Sequence, residues 1–95
     1  MKYIVYGTPS CSFCNKAKTL LEMHKQNYAY KEVGTELTKE QLEETLNRKV
    51  RTVPQIVRVL PDGFTEYVGG FDELKKVFGM WKNLRKLFTL LNSLV

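Results

Sequence analysis

Two cysteines, Cys11 and Cys14, are the only thiols in this 95-residue chain, and they lie three positions apart. Residues at that spacing share one face of a helix and lie about 5–6 Å apart, a separation that a disulfide can span. The same pattern supplies half of a structural zinc site, and it could also act as a covalent staple. The pair therefore has three interpretations: a staple, half of a metal site, or a redox centre.

The rest of the chain offers little to complete a metal site. A structural zinc ion needs four protein ligands, usually from a second cysteine pair or from paired histidines. His24 is the only histidine, and a lone histidine on a helix is most often a surface residue rather than a metal ligand. It lies nearly three helical turns, roughly 15 Å, down the helix, which makes it a poor catalytic base for Cys11. A staple is equally disfavoured, because so short a disulfide loop restricts the unfolded chain very little. The pattern therefore favours redox chemistry.

The position of the cysteines in the chain predicts how they would share that chemistry. Pro9 and Ser10 suit a helix entry, and a helical pattern runs from Cys11 to about Lys25. The unpaired N–H groups and the dipole at a helix N-terminus favour a thiolate, so we expect the pKa of Cys11 to lie below the free value of about 8.5. Cys14 lies one turn further in, on the inner stripe. We therefore expect Cys11 to attack and Cys14 to resolve.

Four predicted strands must position this helix. The second strand follows the first through a helix, which predicts parallel pairing. The last two strands flank Pro61-Asp62-Gly63, a turn sequence, so they should form an antiparallel hairpin. The predicted strands cover residues 2–6, 27–33, 55–60 and 64–68.

The remaining segments predict helices on both faces of the sheet. Thr38 and Gln41 form a capping box that opens a short helix ending near Leu46. Asp72 is placed to cap the helix after Gly69-Gly70, and residues 80–95 have apolar side chains at helical spacing. The order is β-α-β-α-β-β-α plus an extra C-terminal helix, which predicts an α/β fold with a mixed four-stranded sheet.

Length and charge narrow the class of protein. Residues 1–95 suit a single domain, and neither a signal peptide nor an apolar membrane span is present, so we expect a cytoplasmic protein without membrane contacts. The net charge of +5 would suit anions, acidic proteins or nucleic acid. A nucleic-acid module is disfavoured, because the chain has neither an RNA-binding aromatic signature nor zinc-finger spacing.

Three motifs in this order resemble a known family. They are "YGTPSCSFCNKAKTLLE", "RTVPQIVRV" and "YVGGFDEL". Together they resemble a glutaredoxin of the dithiol type, over about residues 2–78. The resemblance implies a thioredoxin-like fold and a glutathione-dependent thiol–disulfide oxidoreductase. Such an enzyme would reduce protein disulfides and glutathionyl mixed disulfides through Cys11 and Cys14.

The resemblance also implies a glutathione site. It implies a cis peptide bond before Pro54 that turns the Val53 backbone towards glutathione, and an N–H of Asp72 that meets a glutathione carboxylate. Phe13 would cover the disulfide, and Gln55 is either a groove residue or a polar residue on the strand face. The implied catalytic residues are Cys11 and Cys14, and the implied glutathione-binding residues are Phe13, Thr52, Val53, Pro54, Gly70, Phe71 and Asp72, with no metal site.

Two positions depart from the family pattern and keep alternatives open. Ser12 stands where many dithiol members have proline, which permits a glutathione-ligated [2Fe-2S] cluster between two subunits. Thr8 stands where many members have a basic residue that holds glutathione, so a redoxin recharged by thioredoxin reductase is the second alternative. The loop residues Arg48, Lys49 and Arg51 are candidates to replace that charge.

The same resemblance sets expectations for cofactors and partners. Glutathione is the expected co-substrate, and no tightly bound cofactor is expected. Clients would be disulfide-bearing proteins, with ribonucleotide reductase as one candidate by family alone. We expect a monomer that binds neither nucleic acid nor membrane. The segment 80–95 is interpreted as a helix that covers the core, with partner binding as the alternative.

Overall fold

The computed structural model describes residues 2–79. Strands and helices follow one another in the order that the sequence predicts, and each strand boundary lies within one residue of its predicted position. The prediction of an amphipathic helix over 80–95 falls outside the described residues. The elements are β1 (Lys2–Gly7), α1 (Ser12–Met23), β2 (Asn27–Glu32), α2 (Lys39–Leu46), β3 (Gln55–Val59), β4 (Thr65–Gly69) and α3, described over residues 71–79.

The four strands form one mixed sheet in the order β2-β1-β3-β4. Strand β1 pairs in parallel with β2 and antiparallel with β3, and β3 pairs antiparallel with β4. Both predicted pairing directions, the parallel crossover and the hairpin, are confirmed. Because β1 and β3 are central, their carboxyl and amino ends meet at the same edge of the sheet, and the loops that leave this edge are neighbours.

Side chains on the two faces of the sheet form two separate cores. Successive residues of a strand point to opposite faces, so Tyr3 and Val5 face one side and Ile4 and Tyr6 the other. The first core joins α1 and α3 to one face, and the second joins α2 to the other. The buried members of the first core are Tyr3, Val5, Ala17, Leu21, Ile56, Leu74 and Phe78, and those of the second are Tyr6, Leu42, Val50 and Val57.

Local signals in the sequence explain how two of the elements begin and turn. The Thr38 hydroxyl accepts the N–H of Gln41 at 3.0 Å, and the Gln41 side chain accepts the N–H of Thr38 at 2.8 Å, which confirms the capping box. Gly63 has a φ of +92° in the hairpin turn, and the Asp62 carboxylate accepts the N–H of Phe64 at 3.1 Å. Glycine tolerates that φ without a steric penalty.

The start of α3 differs from the prediction. The helix begins at residue 71, so Gly70 is its cap and Asp72 lies exposed in the first turn. The N–H of Leu74 donates to the Gly70 carbonyl at 3.1 Å, and the Glu73 carboxylate accepts the Gly70 N–H at 3.1 Å. Glu73 thus satisfies the cap from three residues inside the helix. The prediction of Asp72 as the cap was wrong, because Gly70 is the cap residue and the Glu73 carboxylate, not that of Asp72, accepts its N–H.

Within residues 2–79, no helix combines the length and the apolar character that a membrane crossing requires.

Candidate active site

Cys11 occupies the cap position of α1. Its backbone is extended, with φ −85° and ψ 111°, and its sulfur accepts the N–H of Cys14 at 3.1 Å. A cap side chain normally supplies an oxygen to an unpaired N–H of the first turn, and here the sulfur takes that place. When the disulfide is reduced, the same N–H and the helix dipole favour a thiolate at this position. The sequence-based placement of Cys11 at a helix start is confirmed.

Cys14 lies one turn inside the helix and is fully buried, whereas Cys11 is half-buried. The two sulfurs are joined in a disulfide, with Cα atoms 5.2 Å apart. The predicted inner position of Cys14 is therefore confirmed. Cys11 is therefore the more accessible residue of the pair.

Gly7 provides the space in which the Cys14 sulfur lies. It ends β1, and a Cβ there would sit only 2.5 Å from the Cys14 sulfur and would collide with the Tyr30 hydroxyl as well. Real contacts of a Cβ are essentially never under 3.0 Å. The absence of a side chain at Gly7 therefore lets α1 pack its second cysteine against the end of the strand. The sequence predicted a first strand over residues 2–6 and gave no signal for this role of Gly7.

The loop before β3 approaches the cysteines from the other side. The Val53–Pro54 peptide bond is cis, as the resemblance implied. The Val53 carbonyl oxygen lies 3.7 Å from the Cys11 sulfur. Pro54 is buried and Thr52 is exposed. The second motif is thus brought into direct contact with the first.

The third motif closes the site. A Cβ on Gly70 would lie 3.7 Å from the Pro54 carbonyl oxygen, so this turn touches the proline loop. The rings of Phe13 and Phe71 have centroids 6.2 Å apart, within the range of interacting aromatic pairs. Phe13 is 52% exposed, so this aromatic pair lies at the protein surface. The three motifs therefore meet at one place on the surface.

The two glycines before α3 have different roles. Gly69 has a φ of +121°, and a Cβ there would lie 2.9 Å from the Glu73 side chain. Gly70 has only ordinary van der Waals neighbours at its Cβ position. Gly69 therefore permits the sharp turn, while Gly70 places its backbone beside Pro54.

Basic side chains flank the aromatic pair. The Lys16 ammonium lies 4.9 Å from the Phe13 ring centroid, and the Lys75 ammonium lies 5.5 Å from that of Phe71. Both distances are within cation–π range. Together with the N-termini of α1 and α3, these charges make the surroundings of the site attractive to an anionic ligand.

A family model and its relatives match this arrangement. The model named Glutaredoxin matches residues 3–58, which include both cysteines and the proline loop. The chain belongs to the glutaredoxin family. Glutaredoxin 1 of Salmonella typhimurium is 41% identical over 59 residues, which cover 56% of this chain and 68% of that protein. Glutaredoxins are thiol–disulfide oxidoreductases that use glutathione as a co-substrate, and this chain is a member of that enzyme family.

Solved glutaredoxin structures share the fold. The reduced glutaredoxin of Escherichia coli is 30% identical, with a TM-score of 0.64 over 90% of this chain and 99% of that one. A buckwheat glutaredoxin solved as a complex with glutathione has the same TM-score of 0.64 at 21% identity, covering 92% of this chain and 76% of that one. The thioredoxin-like fold that the resemblance implied is confirmed.

A series of hydrogen bonds that joins Tyr67, Gln55 and the Thr52 carbonyl, here called the buried polar chain, supports the proline loop of this glutaredoxin. The sequence did not predict these contacts. Gln55 is 7% exposed. Its amide donates to the Thr52 carbonyl at 2.8 Å, and its side-chain oxygen accepts the Tyr67 hydroxyl at 2.6 Å. The Arg48 guanidinium stacks 3.5 Å from the Tyr67 ring centroid. Gln55 therefore lies beneath the loop, and Arg48, a candidate for glutathione binding, is engaged with Tyr67.

Two further expectations concern metal chemistry. His24 caps the far end of α1 and stacks on Phe78, with ring centroids 4.1 Å apart and planes inclined by 2°. It therefore takes no part in the cysteine site. Among residues 2–79, no group of three potential metal-ligating side chains is present. The alternative of a glutathione-ligated cluster depends on ligands from outside the chain, so it stays a prediction to test.

Proposed function

We propose that this protein reduces protein disulfides and glutathionyl mixed disulfides, with Cys11 as the attacking thiolate, Cys14 as the resolving thiol and glutathione as the reductant. The observation that carries the proposal is the unequal placement of the two sulfurs. Cys11 is half-buried at a helix cap and accepts an N–H, whereas Cys14 is fully buried one turn inside.

The proposed reaction has two halves. The Cys11 thiolate attacks one sulfur of a substrate disulfide, forms a mixed disulfide with it, and releases the other sulfur as a thiolate that takes a proton from water. Cys14 then attacks the Cys11 sulfur, forms the Cys11–Cys14 disulfide and releases the second substrate thiol. Two electrons pass from the cysteine pair to the substrate.

Glutathione would restore the dithiol. One glutathione thiolate attacks Cys11 and frees Cys14, and a second attacks the bound glutathione sulfur, which yields oxidised glutathione and the Cys11 thiolate. The first attack falls on Cys11 because Cys11 is half-buried, whereas Cys14 is fully buried. A substrate that already carries glutathione needs Cys11 alone.

The groove beside Cys11 has the groups that bound glutathione would need. The Val53 backbone lies next to the Cys11 sulfur and can pair with an extended peptide. The first turn of α3 offers unpaired N–H groups for a carboxylate, and the exposed Asp72 lies in the same turn, where its side chain can meet an ammonium group. The buckwheat relative of the same fold binds glutathione, which supports this placement. We include Phe13, Thr52, Pro54, Gly70 and Phe71 in the site.

The test is a coupled assay with glutathione, glutathione reductase and NADPH, run on two variants that are matched in chemistry. Cys11→Ser should abolish turnover of every substrate. Cys14→Ser should keep most of the activity on a glutathionylated peptide and lose the reduction of a protein disulfide. Activity of Cys11→Ser on the glutathionylated peptide, or equal loss of both activities in Cys14→Ser, would refute the assigned roles.

The same experiment separates the alternatives. A parallel arm with thioredoxin reductase and NADPH, without glutathione, should give no turnover; turnover in that arm alone would favour the redoxin alternative that Thr8 left open. A brown, dimeric product of anaerobic expression would favour the cluster alternative. We expect a colourless monomer that works in a reducing, cytoplasmic compartment on disulfide-bearing proteins, ribonucleotide reductase among the candidates.

A further inference from the structure

Tyr30 lies behind the buried sulfur of Cys14. It belongs to β2, and its hydroxyl donates to the Thr8 carbonyl at 2.8 Å, at the entry to the cysteine helix. A Cβ on Gly7 would collide with both the Tyr30 hydroxyl and the Cys14 sulfur. The two groups therefore face the same atom-sized space, from which solvent is excluded because Cys14 is 0% exposed.

The buried sulfur needs a hydrogen-bond partner when it reacts. Cys14 must lose its proton as it attacks, and a thiolate without solvent or hydrogen bonds is strongly disfavoured. The backbone N–H of Cys14 cannot supply this bond, because it already donates to the Cys11 sulfur at 3.1 Å. A phenol beside the sulfur can accept from the thiol and donate to the thiolate.

Tyr30 can change partner without leaving a buried group unpaired. The Thr8 carbonyl also accepts the N–H of Cys11 at 3.4 Å, so it keeps a donor when the phenol turns away. Burial and the nearby Glu32 carboxylate raise the pKa of Tyr30, so the phenol retains its proton at neutral pH. The Lys18 ammonium lies 4.4 Å from the ring centroid and holds the ring in place.

We propose that the Tyr30 hydroxyl donates a hydrogen bond to the Cys14 sulfur while that sulfur loses its proton and becomes a thiolate. Tyr30 is thus a positioning residue for the resolving step. Cys14 forms its bond to the Cys11 sulfur, the bond between Cys11 and the substrate sulfur breaks, and the departing thiolate is protonated in place of Cys14. Tyr30 keeps its own proton throughout. This inference rests on the proposed roles of Cys11 and Cys14.

The direct test measures the pKa of Cys14 in Cys11→Ser protein. The titration is monitored by the ¹³Cβ chemical shift of labelled cysteine, a measurement that needs no reagent to reach the buried sulfur. Tyr30→Phe should raise that pKa by about one unit or more, since a hydrogen bond to a charged group is worth at least a tenfold change in equilibrium. The matched control is Tyr28→Phe, which removes a phenol on the same face of β2 that donates to Glu22. The control should leave the pKa unchanged.

Kinetics supply a second readout that a merely structural role would not give. With both cysteines present, Tyr30→Phe should slow the reduction of a protein disulfide about tenfold. In Cys14→Ser protein, the same change should leave the activity on a glutathionylated peptide unaltered. An unchanged Cys14 pKa, or equal losses in both assays, would overturn the inference.

The inference also remains testable if Tyr30→Phe does not fold. In Cys11→Ser protein with labelled tyrosine, the ¹³Cζ chemical shift of Tyr30 should change with pH at the same midpoint as the titration of Cys14. A chemical shift that does not change across that pH range would refute the proposal. Failure of the proposed function is separate: it would appear as wild-type protein without glutathione-linked turnover, whatever Tyr30 does to the pKa of Cys14.

Discussion

Removing the Tyr67 hydroxyl tests whether the buried polar chain supports the active site. Tyr67 donates to the side-chain oxygen of Gln55 at 2.6 Å, and Gln55 is 7% exposed, so water has little access to this acceptor. In Tyr67→Phe the ring stays and keeps its stacking with Arg48. What is lost is one hydrogen bond, and what remains is a buried oxygen without a donor.

The size of the effect follows from that burial. A buried acceptor left without a partner costs about 1–3 kcal/mol. For a domain of this length, each kcal/mol lowers the Tm by about 4–8 °C. The other end of Gln55 holds the Thr52 carbonyl at 2.8 Å, in the loop that reaches Cys11. Greater freedom of that loop should raise KM for a glutathionylated peptide about two- to tenfold, since ordering one side chain at a binding site costs about 0.5–1.5 kcal/mol.

Thermal unfolding and the coupled assay measure the two effects on the same protein. Tyr28→Phe is the control, because its hydroxyl bonds to Glu22 at the surface, where loss should cost less than about 1 kcal/mol. A double-mutant cycle with Gln55→Met isolates the pair, and the cost of the double change should be smaller than the sum of the single changes. If Tyr67→Phe keeps both the wild-type Tm and the wild-type KM, the polar chain does not support the loop and the reasoning fails.

Two further predictions concern charge. Thr8→Lys restores the basic residue that many dithiol glutaredoxins have, and it should lower KM for a glutathionylated peptide about two- to fivefold at low salt, because an exposed ion pair is worth about 0.2–1 kcal/mol. Ser10→Lys adds the same charge two residues away, and an equal effect there would point to general attraction rather than to a specific contact. The hydrogen bond to Glu22 raises the pKa of Tyr28 from 10.0 to about 12. Because the protonated phenol is the form that the fold stabilises, this contribution is complete below about pH 10 and should decline as pH rises towards 12. Urea unfolding of wild type and Tyr28→Phe over that range measures it, and a stability difference that does not change with pH would contradict the assignment.

Features set by neighbouring residues could be predicted from the sequence. The cap at Cys11 and the capping box at Thr38 depend on contacts within one helical turn, and the turn at Gly63 depends on a single φ. Each of these has a local physical cause that the residue types reveal. The error at the cap of α3 arose because aspartate and glutamate both suit a helix start, and only the backbone decides which of them reaches Gly70.

Features that depend on long-range contacts could not be predicted. Gln55 and Tyr67 lie on paired strands, and neither the burial of the amide nor its bond to the phenol has a signal in either segment alone. Gly7 likewise looks like any glycine at the end of a strand. Its importance arises only because α1 folds back over β1 and brings the Cys14 sulfur against it.

The two tyrosines of β2 show how much of the site depends on strand register. Tyr28 and Tyr30 are two residues apart on one strand, so their side chains point to the same face of the sheet. The sequence therefore does not distinguish their roles. The parallel pairing sets Tyr28 opposite Tyr3 and Tyr30 opposite Val5. Val5 lies two residues before Gly7, the end of β1, where the chain leads into the cysteine helix. A shift of the pairing by two residues would keep both tyrosines on the same face and yet place Tyr28 beside the buried sulfur. The pattern of apolar residues decides which face of the strand is buried, but it does not distinguish registers that differ by two residues. The register itself therefore determines which phenol faces Cys14.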